Sequence, residues 1–363
     1  MKRMAWGIVM SGFSTACGGS TPAPTAAPVA SVSASPAASS SAAPQPVEPK
    51  PGPAHVALPS EGNDLRLKGS RVQVWLPSGM QRPTRLPAFR LREPLMAVSF
   101  AEFTLEPAGS EKFLSGAEEG AELTDSHPYT KGKLHGFVGH TKIEDPGMRQ
   151  QVLGIANGNA AAIVTVQYAE VAEPLAAKIL DSVLLFEDDA LDALALSGIS
   201  VGDKANLEVS NRVSTPILFT EPGVKPPLNG AAALVILSVP YPKPNLTDQE
   251  LGEMLGGSVG RYAPNMEKAK EEELKVGSCP AYSLTAPGLD QGKPILLYGL
   301  IARCPDSALL VTGTLRSGDE KKLLPRFQKV VRSLTLDDSI FAPLAANPQP
   351  AAAQPQPTSQ KLP

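Results

Sequence analysis

Three shortages narrow the reading before any motif is considered. Outside the extreme N-terminus no apolar run approaches the roughly 20 residues that a membrane-spanning helix needs, and the longest, residues 231–239, is the length of a strand. The formal net charge is only −3, which argues for neither a nucleic-acid footprint nor a strongly acidic partner. Histidine is down to four, with none beyond His140, and the three cysteines include no Cys-x-x-Cys pair and no histidine neighbour in sequence. Redox catalysis and zinc binding are therefore poorly served, and no cofactor or metal is expected. What is plentiful is proline: 37 residues in 363, about twice average usage near 5%. Part of the chain is thus not packed, although a hydrophobic content of 42% supports real cores elsewhere.

The N-terminus has the plan of an export signal. Lys2 and Arg3 precede the short apolar stretch 4–13, and Ser14, Thr15 and Ala16 are the small residues a signal peptidase accepts. Ending at Ser14-Thr15-Ala16-Cys17, this segment resembles the lipobox of bacterial lipoproteins, with Ser14 standing where leucine is usual. The resemblance implies acylation of Cys17 as the first residue of the mature chain; the alternative is an incidental cysteine in a simple secretory signal. Acyl chains, at about 0.8 kcal/mol per buried CH₂, hold a domain at a membrane without a spanning helix. Residues 18–62, rich in Pro, Ala and Ser and including His55, read as a disordered tether, and residues 341–363 as a tail of the same kind.

Between these ends the patterning predicts an α+β protein of two tandem domains, 63–190 and 191–340. In the first, Val72, Val74 and Leu76 alternate with Arg71, Gln73 and Trp75, the period of a half-buried strand. Strands are also predicted at 95–105, 134–144, 151–156 and 161–168, and a helix at 110–123. Leu175, Ile179, Leu180 and Val183 mark one face of a closing helix opened by Pro174. In the second, strands are predicted at 205–209, 215–220 and 232–239, the last apolar enough for cover on both faces. Thr247-Asp248-Gln249-Glu250 is a capping box, followed by a helical face of Leu251, Met254, Leu255 and Val259. Strands at 268–276, 279–285, 295–303 and 308–314 precede a final helix at 320–334 striped with Leu323, Leu324, Phe327, Val330, Val331 and Leu334.

The two closing units match in kind: hairpin, strand and amphipathic helix, ending in Asp181-Ser182-Val183-Leu184 and Arg332-Ser333-Leu334-Thr335. An antiparallel sheet closed by a helix with such a Ser-Leu-type end resembles the PsbP-like α/β/α sandwich, a family that includes DcrB-type bacterial lipoproteins. The resemblance covers roughly 66–336, implies an assembly or binding role, and carries over no catalytic residues.

If 279–285 and 295–303 form a hairpin centred on Gln291 and Gly292, Cys279 and Cys304 lie equally far from the centre and face each other across the ladder. A disulfide there implies an oxidising compartment; the alternative is a pair of buried free thiols. Gly256-Gly257-Ser258-Val259-Gly260 fits Gly-x-Ser-x-Gly, but a nucleophile elbow needs a strand-to-helix turn before it and a histidine after it. The glycines read better as close packing or helix termination. His127, His135 and His140 share the first domain with Asp125, yet His135 and His140, five apart on a strand, point to opposite faces. The triple Glu271-Glu272-Glu273 reads as a solvated edge strand, and residues 288–293 as a turn.

The expectation is a non-enzymatic binding or assembly module of the bacterial cell envelope. It is exported, anchored by Cys17 to a membrane, the outer one favoured, and meets an envelope protein partner and no nucleic acid. The alternatives are a small-ligand binder using a cleft between the repeats, and an envelope hydrolase using Ser258 or the first-domain histidines.

Overall fold

The computed structural model describes residues 58–224, 231–241, 246–260, 270–290, 292–305, 307–316 and 318–341. Cys17, the export segment, His55 and nearly all of the two proline-rich ends lie outside these residues.

The protein is α+β, with every described strand pair antiparallel. Its N-terminal half runs β1 (Gly62–Arg66), β2 (Val72–Pro77), β3 (Ala88–Leu91), β4 (Met96–Thr104), α1 (Ser110–Gly120), β5 (Leu123–Lys131), β6 (Leu134–Thr141), β7 (Met148–Asn157), β8 (Ala160–Ala169), α2 (Glu173–Ser182) and β9 (Leu184–Leu185). The C-terminal half runs α3 (Ala193–Leu196), β10 (Ile199–Val201), β11 (Glu208–Ser210), β12 (Ile217–Thr220), β13 (Ala233–Pro240), α4 (Asp248–Gly260), β14 (Lys270–Val276), β15 (Cys279–Asp290), β16 (Lys293–Arg303), β17 (Ser307–Arg316), α5 (Glu320–Arg332) and β18 (Leu334–Leu336).

The strand order repeats. One large sheet is β3-β4-β8-β7-β6-β5; the other is β12-β13-β17-β16-β15-β14 with β11 added at its edge. In each half the strand after the last helix returns to pair with a strand before the large sheet, β9 with β2 and β18 with β10. Each large sheet is covered on both faces. Leu175, Ala176, Ile179 and Leu180 of α2 join Val98, Leu153, Val164 and Val166, while Leu114 and Ala117 of α1 join Phe137, Val152 and Ile163 opposite. In the second half Leu323, Phe327, Val330 and Val331 of α5 join Leu234, Ile236, Leu300 and Val311, and Leu251 and Leu255 of α4 join Leu284, Leu297 and Ile301.

The Ser-Leu ends have a physical cause. Ser182 Oγ donates to the Ile179 carbonyl at 2.6 Å and accepts the Trp75 amide of β2 at 2.8 Å. Ser333 Oγ donates to the Val330 carbonyl at 2.9 Å and accepts the Asp203 amide just beyond β10 at 3.0 Å. Each serine hydroxyl donates to a carbonyl in the last turn of its helix and ties that turn to the small sheet, while the next residue, Val183 or Leu334, is buried.

The halves are joined by polar contacts in dry surroundings. Glu102, fully buried, accepts from Ser70 Oγ at 2.6 Å and the Arg71 amide at 2.7 Å, and its own amide donates to Ser214 Oγ of the second half at 2.9 Å. The Thr104 and Ser214 amides cross to the Arg212 and Glu102 carbonyls, so residues 212–214 continue the edge of β4 where β3 ends. From the other side, the buried Arg82 donates to the carbonyls of Thr84, Leu86, Arg85 and Leu196. Arg85 reaches the Gly198 and Asp337 carbonyls and pairs with Asp338. Burial and the Arg85 charge pull Arg82 down to about 10, which still leaves it a cation at neutral pH.

Three expectations need correction. The helix predicted over 110–123 stops at Gly120, and Leu123 opens β5, a strand with hardly a buried position; an edge strand has no alternation to read, and Pro128 is tolerated there. In β13 Leu234, Ile236 and Ser238 are buried but Val235, Leu237 and Val239 only partly so, because the apolar residues that α4 meets lie mainly on β15 to β17. Finally, α4 runs through Gly256 and Gly257 to Gly260, so this glycine pair does not terminate it.

Candidate functional site

Cys279 and Cys304 form a disulfide with their Cα atoms 4.9 Å apart. The hairpin register that brings them together runs from Ala281↔Ala302 to Asp290↔Lys293, with Gly292 at φ +78° supplying the left-handed turn position. Ser258 lies in the third turn of α4; its backbone is helical, not that of an elbow at a strand end.

The histidines part company. Register places Asp125 opposite His140, and His127 opposite Val138 on the same face, while His135 pairs with Thr130 and Ala156 on the other. The His140 amide donates to Asp125 Oδ1 at 2.8 Å, and its ring Nδ1 sits 3.1 Å from both carboxylate oxygens. The His140 amide, then the ring and the His127 charge, hold the Asp125 carboxyl below its ordinary range. His140 Nε2 lies 2.9 Å from the Gln151 side-chain amide, so both ring nitrogens are taken and neither is open to a substrate or metal. Of the hydroxyls flanking Asp125, Ser126 Oγ donates to Glu118 and Thr124 Oγ1 to the His140 carbonyl. Among the described residues no group of three or more His, Cys, Asp or Glu side chains could hold a metal ion.

A site that motif reading missed lies in the second half, between the start of α4 and strands β14 to β16: a cavity of about 860 Å³. Its helix wall is set by the capping box. The Thr247 amide donates to Glu250 Oε2 at 2.8 Å, the Glu250 amide returns to Thr247 Oγ1 at 3.2 Å, and Leu246 joins the same apolar cluster as Leu251, four positions into the helix. This fixes Leu251 and Gly252 against the opening. A Cβ placed on Gly252 would meet no atom within 4 Å, so the helix gives up about 1 kcal/mol of propensity relative to alanine at a position facing unfilled space.

The sheet wall follows from register. Glu273 pairs with Tyr282 and Tyr282 with Ile301, so these three share one face. One row outward, Lys275 pairs with Pro280, and Arg303 ends β16 next to Ala302; these residues line the same cavity. Ile301 and Leu251 form its dry part, while Lys275, Glu273 and Gln249 are exposed at the rim. Burial, then a hydrogen bond to Glu271 and the charges of Glu271 and Glu273, push the Tyr282 hydroxyl up to about 12. Tyr282 is therefore a neutral ring wall with its hydroxyl committed to Glu271. The arrangement can take up an apolar group between helix and sheet and meet a polar one at the rim. A volume of this size is within the range of small-molecule sites. Its one signal in the sequence was Gly252, an interior helix glycine beside the Leu251–Leu255 stripe.

No family model matches the chain, and no curated protein matches it. Solved structures share it in part. LpqN of Mycobacterium tuberculosis, described as involved in cell envelope biogenesis, is 10% identical over 38% of this chain and 82% of its own, with a TM-score of 0.28. The cyanobacterial PsbP protein CyanoP of Synechocystis is 11% identical over 38% of this chain and 91% of its own, at 0.24. The type VI secretion immunity protein TplEi of Pseudomonas aeruginosa is 10% identical over 76% of this chain and 97% of its own, at 0.33. At these scores the likenesses decide neither fold family nor function.

Proposed function

We propose that this protein is a non-enzymatic, lipid-anchored binding module of the bacterial cell envelope. It hangs from acylated Cys17 on the tether 18–62 and takes its ligand in the cavity beneath α4. The observation that carries the reading is that cavity: about 860 Å³ between a capped helix and a disulfide-closed hairpin, lined by a glycine whose added Cβ would meet no atom within 4 Å. The disulfide suits an oxidising compartment, and the lipid on Cys17 supplies the attachment. The two PsbP-like domains, 63–190 and 191–340, act as one body because the buried Glu102 and Arg85 contacts cross between them.

The test is in-cell cross-linking of the tagged, anchored protein, followed by mass spectrometry of what it captures. Cys17→Ser should move the chain out of the membrane fraction and lose the envelope capture. Gly252→Phe should stay anchored and lose the capture as well. A Cys17→Ser chain still in the membrane fraction contradicts the anchor; capture unchanged in Gly252→Phe contradicts the cavity.

A further inference from the structure

Taking the α4 cavity as the binding site, we infer that its ligand is a single-chain amphiphile with an anionic head group. The cations of the cavity are offset along the strands from its apolar part. Leu251, Gly252, Ile301 and the Tyr282 ring wall one part of the cavity, with Leu251 and Ile301 buried, so this part offers a ligand mainly apolar surface, with Glu273 at its exposed edge. Such a space takes a hydrocarbon chain and gains from the area removed from water.

The two cations lie at one end. Lys275 stands opposite Pro280 in β15, and Arg303 ends β16 at the same end of the sheet, so two cations flank Pro280. Neighbouring strands lie about 4.8 Å apart, and two long side chains two strands apart close on an anion placed over the proline. Glu273 is one row inward, across from Tyr282. A cationic head would meet Lys275 and Arg303 on its way in, whereas an anion held at the Pro280 end keeps clear of Glu273 and directs its tail over Tyr282 and Ile301 toward Leu251. Arg303 has a protein partner already, which leaves the exposed Lys275 as the residue whose charge the head group meets first.

The experiment is calorimetric titration of the full-length Cys17→Ser chain, free of detergent, with dodecyl phosphate, dodecyl maltoside, dodecyltrimethylammonium and inorganic phosphate, each below its micelle concentration. Dodecyl phosphate should bind one to one, and at least about tenfold tighter than the neutral and cationic chains, with no measurable heat from inorganic phosphate. Lys275→Glu should remove most of that preference. Gly252→Phe should abolish binding, and Gly252→Ala, which adds one methyl group to the same helix, serves as the folded control that still binds. Equal affinity for all three amphiphiles, or an unchanged preference in Lys275→Glu, overturns the anionic head group while leaving the cavity as a binding site. Inorganic phosphate binding as well as dodecyl phosphate overturns the chain. Unimpaired binding to Gly252→Phe overturns both this inference and the cavity on which it rests.

Discussion

At the scale of single residues, the side chains that matter most to the folded state are polar ones that sit dry. Burial pushes the Glu102 carboxyl up, while the Ser70 hydroxyl, the Arg71 amide and the Arg71 charge pull it back. Burial also lowers Arg71 against the Glu102 charge, and the Arg71 guanidinium further donates to the Phe103 carbonyl at 2.7 Å. Removing one partner leaves the other charge buried and unmatched. Glu102→Ala should therefore cost about 3–5 kcal/mol in urea unfolding, and the Arg71→Met/Glu102→Leu double substitution should cost less than Glu102→Ala alone. A loss under about 1 kcal/mol for Glu102→Ala would mean that water reaches the pair. Ser333→Ala, which strands the half-buried Asp203 amide, should cost about 1–3 kcal/mol; an unchanged midpoint would remove the serine's structural role.

At the scale of elements, α5 is fastened to the loops beside it by carboxylates. Glu221 accepts from Lys322 Nζ at 2.7 Å and Arg326 Nη1 at 3.1 Å, and Asp203 pairs with Lys329 at 2.7 Å. Both carboxyls are held below their ordinary values, by Lys322 first for Glu221 and by Lys329 first for Asp203. With folded values depressed, their contribution is fully present above the unfolded carboxylate range near 4 and is lost as pH falls through the folded values. The urea midpoint should therefore drop on acidification from about pH 4.5 to 2, and Glu221→Gln with Asp203→Asn should flatten that drop. An identical slope in the double variant would mean that other carboxylates set it.

Elements were legible in the sequence where burial imposes a period. The α5 stripe and the register of the β15–β16 hairpin could be read from spacing alone, because one face of each is buried and Gly292 marks the turn. The capping box named the start of α4 for a similar local reason. Strand β5 escaped because an exposed edge imposes no alternation. Asp125 and the histidines could be named as sharing a domain, but neither the Asp125–His140 pair nor the Gln151 contact at the second ring nitrogen could be read, since both depend on strand register. The cavity could not be read at all: it is the space left between α4 and three strands, and only Gly252 betrayed it.

At the scale of the whole molecule, two sheets of matching strand order are locked together by residues 82–85 on one side and 212–214 on the other, and the cavity lies within the second half, not between the two. The account joins a lipid anchor at one end of the chain to a ligand site near the other. Native mass spectrometry of the protein released gently from membranes tests both in a single spectrum. The predicted result is a chain beginning at Cys17 with the added mass of acyl groups, carrying a non-covalent small-molecule adduct that Gly252→Phe lacks. A chain with unmodified Cys17, or one whose adducts are the same in wild type and Gly252→Phe, would contradict it.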